Sequence, residues 1–509
     1  MTKADKNEKS KDVIIINTDD CNVPKEDNDI FISRNNISNL LYGKESDCVS
    51  ILIIAYNRLD KTKRCVESVI KYTKDVNYEL ILVDNGSSDG TMDYFKSLDR
   101  NNVRIIKITK NLQVAYGIFI GTKYCTGKYI AFLNNDMIVT KSWLYNIMKC
   151  FKSDENIGLV CAMSSNISNY QQVDFTYGNY DEMQEKAADF NQSDPKKWHE
   201  RLRLITAGSV YKTECIHISG NFDYGFYHDF ADDDLTFHIR RAGYKTVLCK
   251  DTFVCHDHVT GTEKEPGEFE RSIKIGRENF KRKYYGVDAW DDVNNYELEM
   301  VRLIESPKEK NEISVLGVDV LCGTPILEVK NKLKEFDAFH VTLSAFSEKA
   351  KYFVDLSTIC QGEVECDRIE YLPEYFTKEQ FDYIIIGKEI NLYSEPLKLL
   401  TDSFSLLKEG GQLLLKLRNT YDIKSFFNIL GKDLGLNNEY PINWTANDFT
   451  DWLSALGGVV KSFGAEYYTL DSNSSARLSE IIKYANVTSD TDHIKNKMLI
   501  RNYVFNISK

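Results

Sequence analysis

Four short runs in the first part of the chain, residues 49–56, 79–84, 103–108 and 129–133, are mainly apolar, the first and fourth almost throughout. A strand with one wet face alternates apolar and polar residues, whereas a strand that is apolar throughout has both faces covered. That is the condition of a mainly parallel sheet packed between helices, and the segments between the runs carry helical signals. Residues 59–74 place Leu59, Val66, Val69 and Ile70 close to helical spacing. Asn85-Gly86-Ser87-Ser88-Asp89-Gly90 is a turn sequence directly after the second run, and a later helix is expected up to about Lys123. Strands alternating with helices in this way predict an α/β fold.

The runs stop on polar residues. The second ends on Asp84, and the fourth stops on Asn134-Asn135-Asp136 before Ile138 and Val139 resume the apolar character. In an open α/β sheet, ligands bind beyond the carboxyl ends of the strands, so a carboxylate delivered there is a candidate for metal or ligand contact. Two more features join it: the acidic run Asp232-Asp233-Asp234 ahead of a helix expected over 235–242 and closed by Gly243, and His256 and His258 after an apolar strand through Val254. Carboxylate oxygens suit hard divalent cations, and a carboxylate within hydrogen-bond reach of a hydroxyl can act as a general base. Competing readings stand beside each. Asp84 also suits an Asx turn, the acidic run also suits a helix N-terminus through its dipole, and the histidines also suit a plain surface.

At 509 residues the chain exceeds one ordinary core, so two or three domains are expected. The net charge of −12 argues against nucleic acid as a partner. No apolar stretch approaches the ~20 residues of a membrane span, and the charged N-terminus lacks the apolar core of a signal peptide. The expectation is a cytoplasmic chain without an integral membrane segment. The 12 cysteines form no CxxC pair, which points to buried reduced thiols. Residues 1–30 predict no regular structure, and residues 165–200, polar and aromatic without period, read as a long loop. The domain boundaries follow: a polar extension over 1–47, a first α/β domain over 48–290, a charged helical linker over 291–312, and a second α/β domain over 313–509. The second has strands at 314–320, near 339–343, at 383–386 and at 412–417, with a turn at Glu409-Gly410-Gly411. No internal repeat relates the two halves.

Five strings in order, VSILIIAYNR at 49–58, LILVDNGSSDGT at 80–91, GKYIAFLNND at 127–136, FDYGFYHDFADDDLTFHIRRAGY at 222–244 and VCHDH at 254–258, resemble family 2 glycosyltransferases of the GT-A nucleotide-diphospho-sugar fold. ENFKRKY at 278–284 is similar to the tail of that domain. The resemblance implies that Ala55, Tyr56, Asn57 and Arg58 cup the base and ribose, that Asp84 accepts the ring N–H of the base with Asn85 beside it, and that Asn111, Asn134 and Asn135 line the nucleotide-sugar pocket. It implies Mn²⁺ or Mg²⁺ on Asp136, completed by His256 or, failing that, His258. Asp232 takes the place of the catalytic base. The chain departs from the family in three places. Asn134 stands where a first metal-site Asp is common, Ala231 replaces the Glu before the base, and Gln113, Tyr116 and Phe119 stand where Gly, Ala and Asn are usual.

FDYIIIGKEINLYSEPLKLLTDSFSLLKEGGQLLLKLRN at 381–419 resembles the Rossmann-like fold of S-adenosylmethionine-dependent methyltransferases. The cofactor signals are weaker. The loop Leu321-Cys322-Gly323-Thr324-Pro325 has one glycine, and the second strand, read as ending near Ser344, has no acid after it. S-adenosylmethionine is therefore the less favoured expectation, and the second domain reads as a scaffold or acceptor-binding module. The leading functional expectation is a non-processive, inverting transferase. UDP-N-acetylglucosamine is the first choice of donor, with dTDP-rhamnose its rival. The acceptor is a protein Ser/Thr hydroxyl, as in flagellin, or a surface glycan of a bacterium. A bifunctional glycosyltransferase–methyltransferase and a non-catalytic scaffold with two decayed domains stay open.

Overall fold

The computed structural model describes residues 13–18, 46–223, 225–226, 229–257, 267–425, 444–484 and 490–509. The chain divides into two compact units, Met1–Asn294 and Asn295–Lys509. Among the described residues, the first unit is built on one sheet whose strands are β1 (Val13–Ile16), β2 (Ser46–Ala55), β3 (Tyr78–Asn85), β4 (Val103–Ile108), β5 (Gly127–Asn134), β6 (Met137–Ile138), β7 (Ile157–Ser164), β8 (Trp198–Glu200), β9 (Ser209–Lys212) and β10 (Lys245–His256). Their spatial order is β1-β4-β3-β2-β5-β9-β7-β10-β6, with β8 on β10. The pairs from β1 to β5 are all parallel. β9 then runs antiparallel between β5 and β7.

The four runs read from the sequence are the central strands, and both of their faces are covered. Ile51, Leu52, Ile53, Leu80, Ile81, Leu82 and Val83 are all fully buried, each such side chain contributing ~1.5–3 kcal/mol by removal from water. Helices Leu59–Tyr72 and Trp143–Phe151 add Cys65, Val66, Val69, Trp143, Leu144 and Ile147 to the core. Helix Gln113–Thr122 packs where the sheet allows no side chain: a Cβ on Gly117 would sit 2.3 Å from Ile54 Cδ1.

Three local readings change. Residues 13–16 form a parallel edge strand, Val13 opposite Ile105. Residues 165–200 hold helix Tyr180–Phe190, capped by Asn179 accepting from the Glu182 amide, and β8, so they are not one long loop. The helix expected from 235 begins at Ala231 and ends at Arg241, with Gly243 beyond it at φ 93°.

The second unit carries β11 (Ile313–Val318), β12 (Val341–Ser347), β13 (Val364–Cys366), β14 (Phe381–Ile386), β15 (Leu407–Arg418), β16 (Val459–Tyr467) and β17 (Ile500–Ser508). The order is β13-β12-β11-β14-β15-β17-β16, parallel up to β15, with β17 antiparallel to both of its neighbours. That is the doubly wound order with its switch point between the first and fourth strands, extended by an antiparallel pair: the Rossmann-like methyltransferase fold. Leu316, Val318, Ile384, Ile386, Leu413, Leu415 and Phe505 form its core. Residues 295–312 pack within this unit. Lys416 pairs with Glu297 at 2.5 Å, and Gln412 accepts from the Glu305 amide at 3.0 Å.

Candidate active site

Strand register sets the geometry of the first unit's crevice. Asp84 lies opposite Ala55 and Lys107, and Asn134 lies opposite Ile54. The carboxyl ends of β2, β3 and β5 therefore finish level, where an open sheet offers its crevice. Asp84 is fully buried. Its Oδ1 accepts the Ser87 amide at 2.9 Å, and its Oδ2 is buried with no hydrogen-bond partner among the described residues. Burial pushes its pKa up, against the Ser87 contacts and the nearby Lys107 charge. A turn contact of the kind weighed against a ligand role is present, made to Ser87 and not to Asn85-Gly86, and it uses one oxygen of two.

The neighbouring polar residues tie the strand ends together. Asn57 and Arg58 both take left-handed backbone, φ 54° and 59°, at the exit of β2. Asn57 Oδ1 accepts the Ser88 amide at 3.0 Å, and its own amide donates to Ser87 Oγ at 2.8 Å. Asn135 Nδ2 donates to the Asn57 carbonyl and to Thr62 Oγ1, both at 2.9 Å. Asn85 Nδ2 donates to Asn111 Oδ1 at 3.0 Å, and Asn85 Oδ1 accepts the Leu112 amide at 3.1 Å, so this pair fixes the loop that enters helix Gln113–Thr122. Gly86 makes that approach feasible, since a Cβ there would lie 2.7 Å from the Asn111 nitrogen. Tyr56 is 47% exposed and Asn134 is also exposed, so both face solvent at the strand ends while Ala55 is buried between them.

Asp136 and His256 meet because the chain after Asp136 forms β6, which pairs antiparallel with the end of β10, Met137 opposite His256. His256 Nε2 lies 3.6 Å from Asp136 Oδ1, and the Arg58 guanidinium lies 3.9 Å from Oδ2. Asp257 follows, its amide donating to the Asp136 carbonyl at 2.8 Å and its carboxylate 3.2 Å from Arg64. One carboxylate oxygen and one imidazole nitrogen suit a divalent cation whose other ligands are water and diphosphate oxygens. Among the described residues no group of three or more His, Cys, Asp and Glu side chains could hold a metal by itself. His258 lies outside the described residues.

Asp232 sits at the start of helix Ala231–Arg241, whose entry residue Phe230 has φ 68° and stacks on Trp290 at 5.0 Å. The Thr206 hydroxyl donates to Asp232 Oδ1. Ser209, three residues after Thr206, opposes Phe132 of β5 and Cys161 of β7, which sets the base candidate beside the same edge of the sheet. Asp233 and Asp234 lie with Asp232 in the first turn of the helix, where negative charge suits its dipole, and each also has a partner from a distant segment. Asp233 pairs with Arg203, and burial pushes its pKa up against that guanidinium. Asp234 takes Lys283 at 2.6 Å and the Tyr284 hydroxyl at 2.7 Å. Burial opposes its charge, yet the Lys283 ammonium and His238 hold its carboxyl well below the ordinary range. Apart from His238, one turn further along the same helix, these partners lie tens of residues away, and nothing local in the acidic run announces them.

In the second unit, β12 runs to Ser347 rather than stopping near Ser344, so Glu348 directly follows the strand and supplies the acid the sequence reading found missing. Its carboxylate lies 4.0 Å from Lys388. The loop after β11 is occupied by the chain's own contacts. Asp319 accepts the Tyr393 hydroxyl at 3.0 Å and the Glu348 amide at 2.9 Å. Val320 and Cys322 are fully buried, and the space beside Gly323 is filled by Ile359 Cδ1, 2.4 Å from where a Cβ would be. The loop thus keeps the single glycine read from the sequence, and its neighbours are held by contacts within the chain.

Residues 50–205 match the family model described as Glycosyl transferase family 2. An uncharacterized glycosyltransferase, YfnE, of Bacillus subtilis (strain 168) is 29% identical over 115 residues, 22% of this chain and 29% of that protein. The hyaluronan synthase of Pasteurella multocida is 23% identical over 373 residues, 68% of this chain and 35% of its own length. The chain thus spans about a third of the length of the curated relatives it matches first, with shares of 29%, 34% and 35%. Among solved structures, a SAM dependent methyltransferase from Archaeoglobus fulgidus aligns over 45% of this chain and 98% of that one at 16% identity and a TM-score of 0.28. No described helix is long and apolar enough to cross a membrane.

Proposed function

We propose that the first unit transfers a sugar from a nucleotide-diphospho-sugar to an acceptor hydroxyl with inversion at the anomeric carbon. One observation carries the reading: Asp84, the Asp136–His256 pair and Asp232 share the carboxyl edge of one sheet. In this reading Asp84 Oδ2 accepts the base N–H, and Tyr56, Asn57 and Arg58 border the base and ribose. Asn85, Asn111 and Asn135 act mainly by holding the loops around the pocket, and Asn134 faces the donor. Asp136 and His256, with His258 as a further candidate, hold Mn²⁺ or Mg²⁺, which when bound offsets the charge of the leaving diphosphate. Asp232 takes the acceptor proton as the acceptor oxygen bonds to the anomeric carbon. The bond from that carbon to the diphosphate oxygen breaks, and the nucleoside diphosphate leaves with the electron pair.

UDP-N-acetylglucosamine is the proposed donor, and a protein Ser/Thr hydroxyl, as in flagellin, or a surface glycan the proposed acceptor; both rest on the resemblance. For the second unit, the Asp319–Tyr393 contact in the crevice favours a scaffold or acceptor-binding role over methyl transfer. The test is release of nucleoside diphosphate by the full chain with Mn²⁺, compared with Asp136→Ala and Asp232→Asn. Both variants are expected to lose at least a hundredfold, and undiminished turnover of Asp136→Ala in the presence of a chelator refutes the metal assignment. Mass spectrometry of glycoproteins and glycans from cells with and without the protein identifies the sugar and its acceptor.

A further inference from the structure

One hydroxyl from the segment leading into β9 meets Asp232: Thr206 donates to Asp232 Oδ1. Beside it in sequence, Ser209 Oγ donates to the Tyr211 hydroxyl at 3.1 Å. A threonine hydroxyl has one proton, so the bond to Asp232 fixes which way the Thr206 hydroxyl points. A hydrogen bond to a carboxylate in a dry setting is stronger than one in water. The setting is dry: Tyr211 and Ser209 are fully buried, and the Tyr211 ring packs against Phe132 at 4.6 Å between centroids.

The charge of Asp232 is felt at buried groups of the sheet. Burial first, and then the neighbouring Cys161 and Asp232, push the Tyr211 hydroxyl pKa far up, and Cys161 on β7 is pushed up by burial and by Asp232. The segment carrying Thr206 is itself latched to the helix. Arg203 pairs with Asp233, and Gln171 exchanges hydrogen bonds with Ile205 at 2.8 and 2.9 Å; Thr236 Oγ1, which donates to the Asp232 carbonyl at 2.7 Å, lies 3.3 Å from the Leu204 carbonyl. A base whose orientation is fixed by a third group is the general logic of an activated catalytic pair.

We infer that Thr206 is a positioning residue that holds Asp232 as an oriented carboxylate. This rests on the base role proposed above for Asp232. Thr206 belongs to none of the motifs that carry the family resemblance, and its hydrogen bond goes to Asp232 and not to the strand ends around Asp84. Its effect therefore falls on the transfer step and not on donor binding.

The test uses the full chain with Mn²⁺ and a panel of UDP-N-acetylglucosamine, UDP-glucose, GDP-mannose and dTDP-rhamnose, reading nucleoside diphosphate release for whichever donor the wild type turns over. Thr206→Val removes the donor at nearly constant volume and is expected to lower kcat about tenfold or more, as loss of a hydrogen bond to a charged group does, with KM for the donor within about twofold. Thr206→Ser restores most of the rate. A Thr206→Val enzyme with wild-type kcat, or a Thr206→Ser enzyme as slow as Thr206→Val, overturns the inference while leaving the transferase reading intact. An Asp232→Asn enzyme that keeps wild-type turnover, or a wild type that cleaves none of the four donors, overturns the reading beneath it as well.

Discussion

Lys283 offers the sharpest test of how the helix bearing Asp232 is held. Its ammonium lies 2.7 Å from Asp223 Oδ2 and 2.6 Å from Asp234 Oδ1, and Asp234 is fully buried one turn into that helix. Lys283→Met keeps the stem's packing and deletes the charge. Removing one partner of a buried ion pair costs ~3–5 kcal/mol because the other charge is left in the dry interior. The Tyr284 hydroxyl at 2.7 Å and His238 at 3.5 Å remain on Asp234, which favours the lower end of that range. At roughly 2–4 °C per kcal/mol for a unit of this size, Tm of the first unit should fall by roughly 6–20 °C at pH 7.

Proton linkage adds a second readout. Lys283 and His238 hold the Asp234 carboxyl below its ordinary range, so its folded pKa lies beneath the unfolded value of ~3.9. The stabilisation is complete above about pH 4 and drains away as pH falls through the folded pKa. In the variant, burial without Lys283 raises the Asp234 pKa, so the gap between the two proteins narrows on acidification. Differential scanning calorimetry of the full chain across pH, with Lys283→Met/Asp234→Asn as the partner variant, measures both effects. A Lys283→Met protein within ~1 kcal/mol of wild type at pH 7, or a gap that widens toward acid, refutes the reasoning.

Three other outcomes are expected. Gly117→Ala drives a methyl to 2.3 Å from Ile54 Cδ1 and should cost ~1–3 kcal/mol in urea titration through overpacking. Asp84→Asn keeps the fold but loses the thermal shift that UDP gives the wild type, because an amide presents a donor where the base N–H needs an acceptor; an undiminished shift refutes the base contact. Calorimetric titration of the full chain with S-adenosylmethionine at millimolar concentration should give no binding heat, and a saturable isotherm restores the bifunctional reading.

The apolar runs made the central sheet legible. Strand β4 falls on the expected 103–108, and β2, β3 and β5 differ only at their ends. Runs buried on both faces leave little choice of partner or register. Helix Tyr180–Phe190 escaped because only Met183 and Ala187 are buried on it, too few for a visible stripe. Asp84 and Asp136 were legible as carboxylates at strand ends, since a strand's terminus is a local property. The Arg203–Asp233 and Lys283–Asp234 pairs were not, because burial and pairing across distant segments leave no mark in the acidic run itself. Glu348 was missed by a strand-end error of three residues, the scale at which boundaries are ordinarily uncertain.

The antiparallel seam between β6 and β10 has a consequence for how the protein is made. Strands β2, β3 and β4 can pair in turn as each leaves the ribosome, and β5 then joins the other side of β2. Asp136 emerges early in synthesis, but the strand that brings His256 to it is the last of this sheet to be translated. The floor proposed for the base can thus be in place while the corner proposed for the cation is still half made. A nascent chain that stalls before Lys245 would hold Asp84 and Asp136 without His256, and on the proposed reading competence for transfer would arrive only with the final strand.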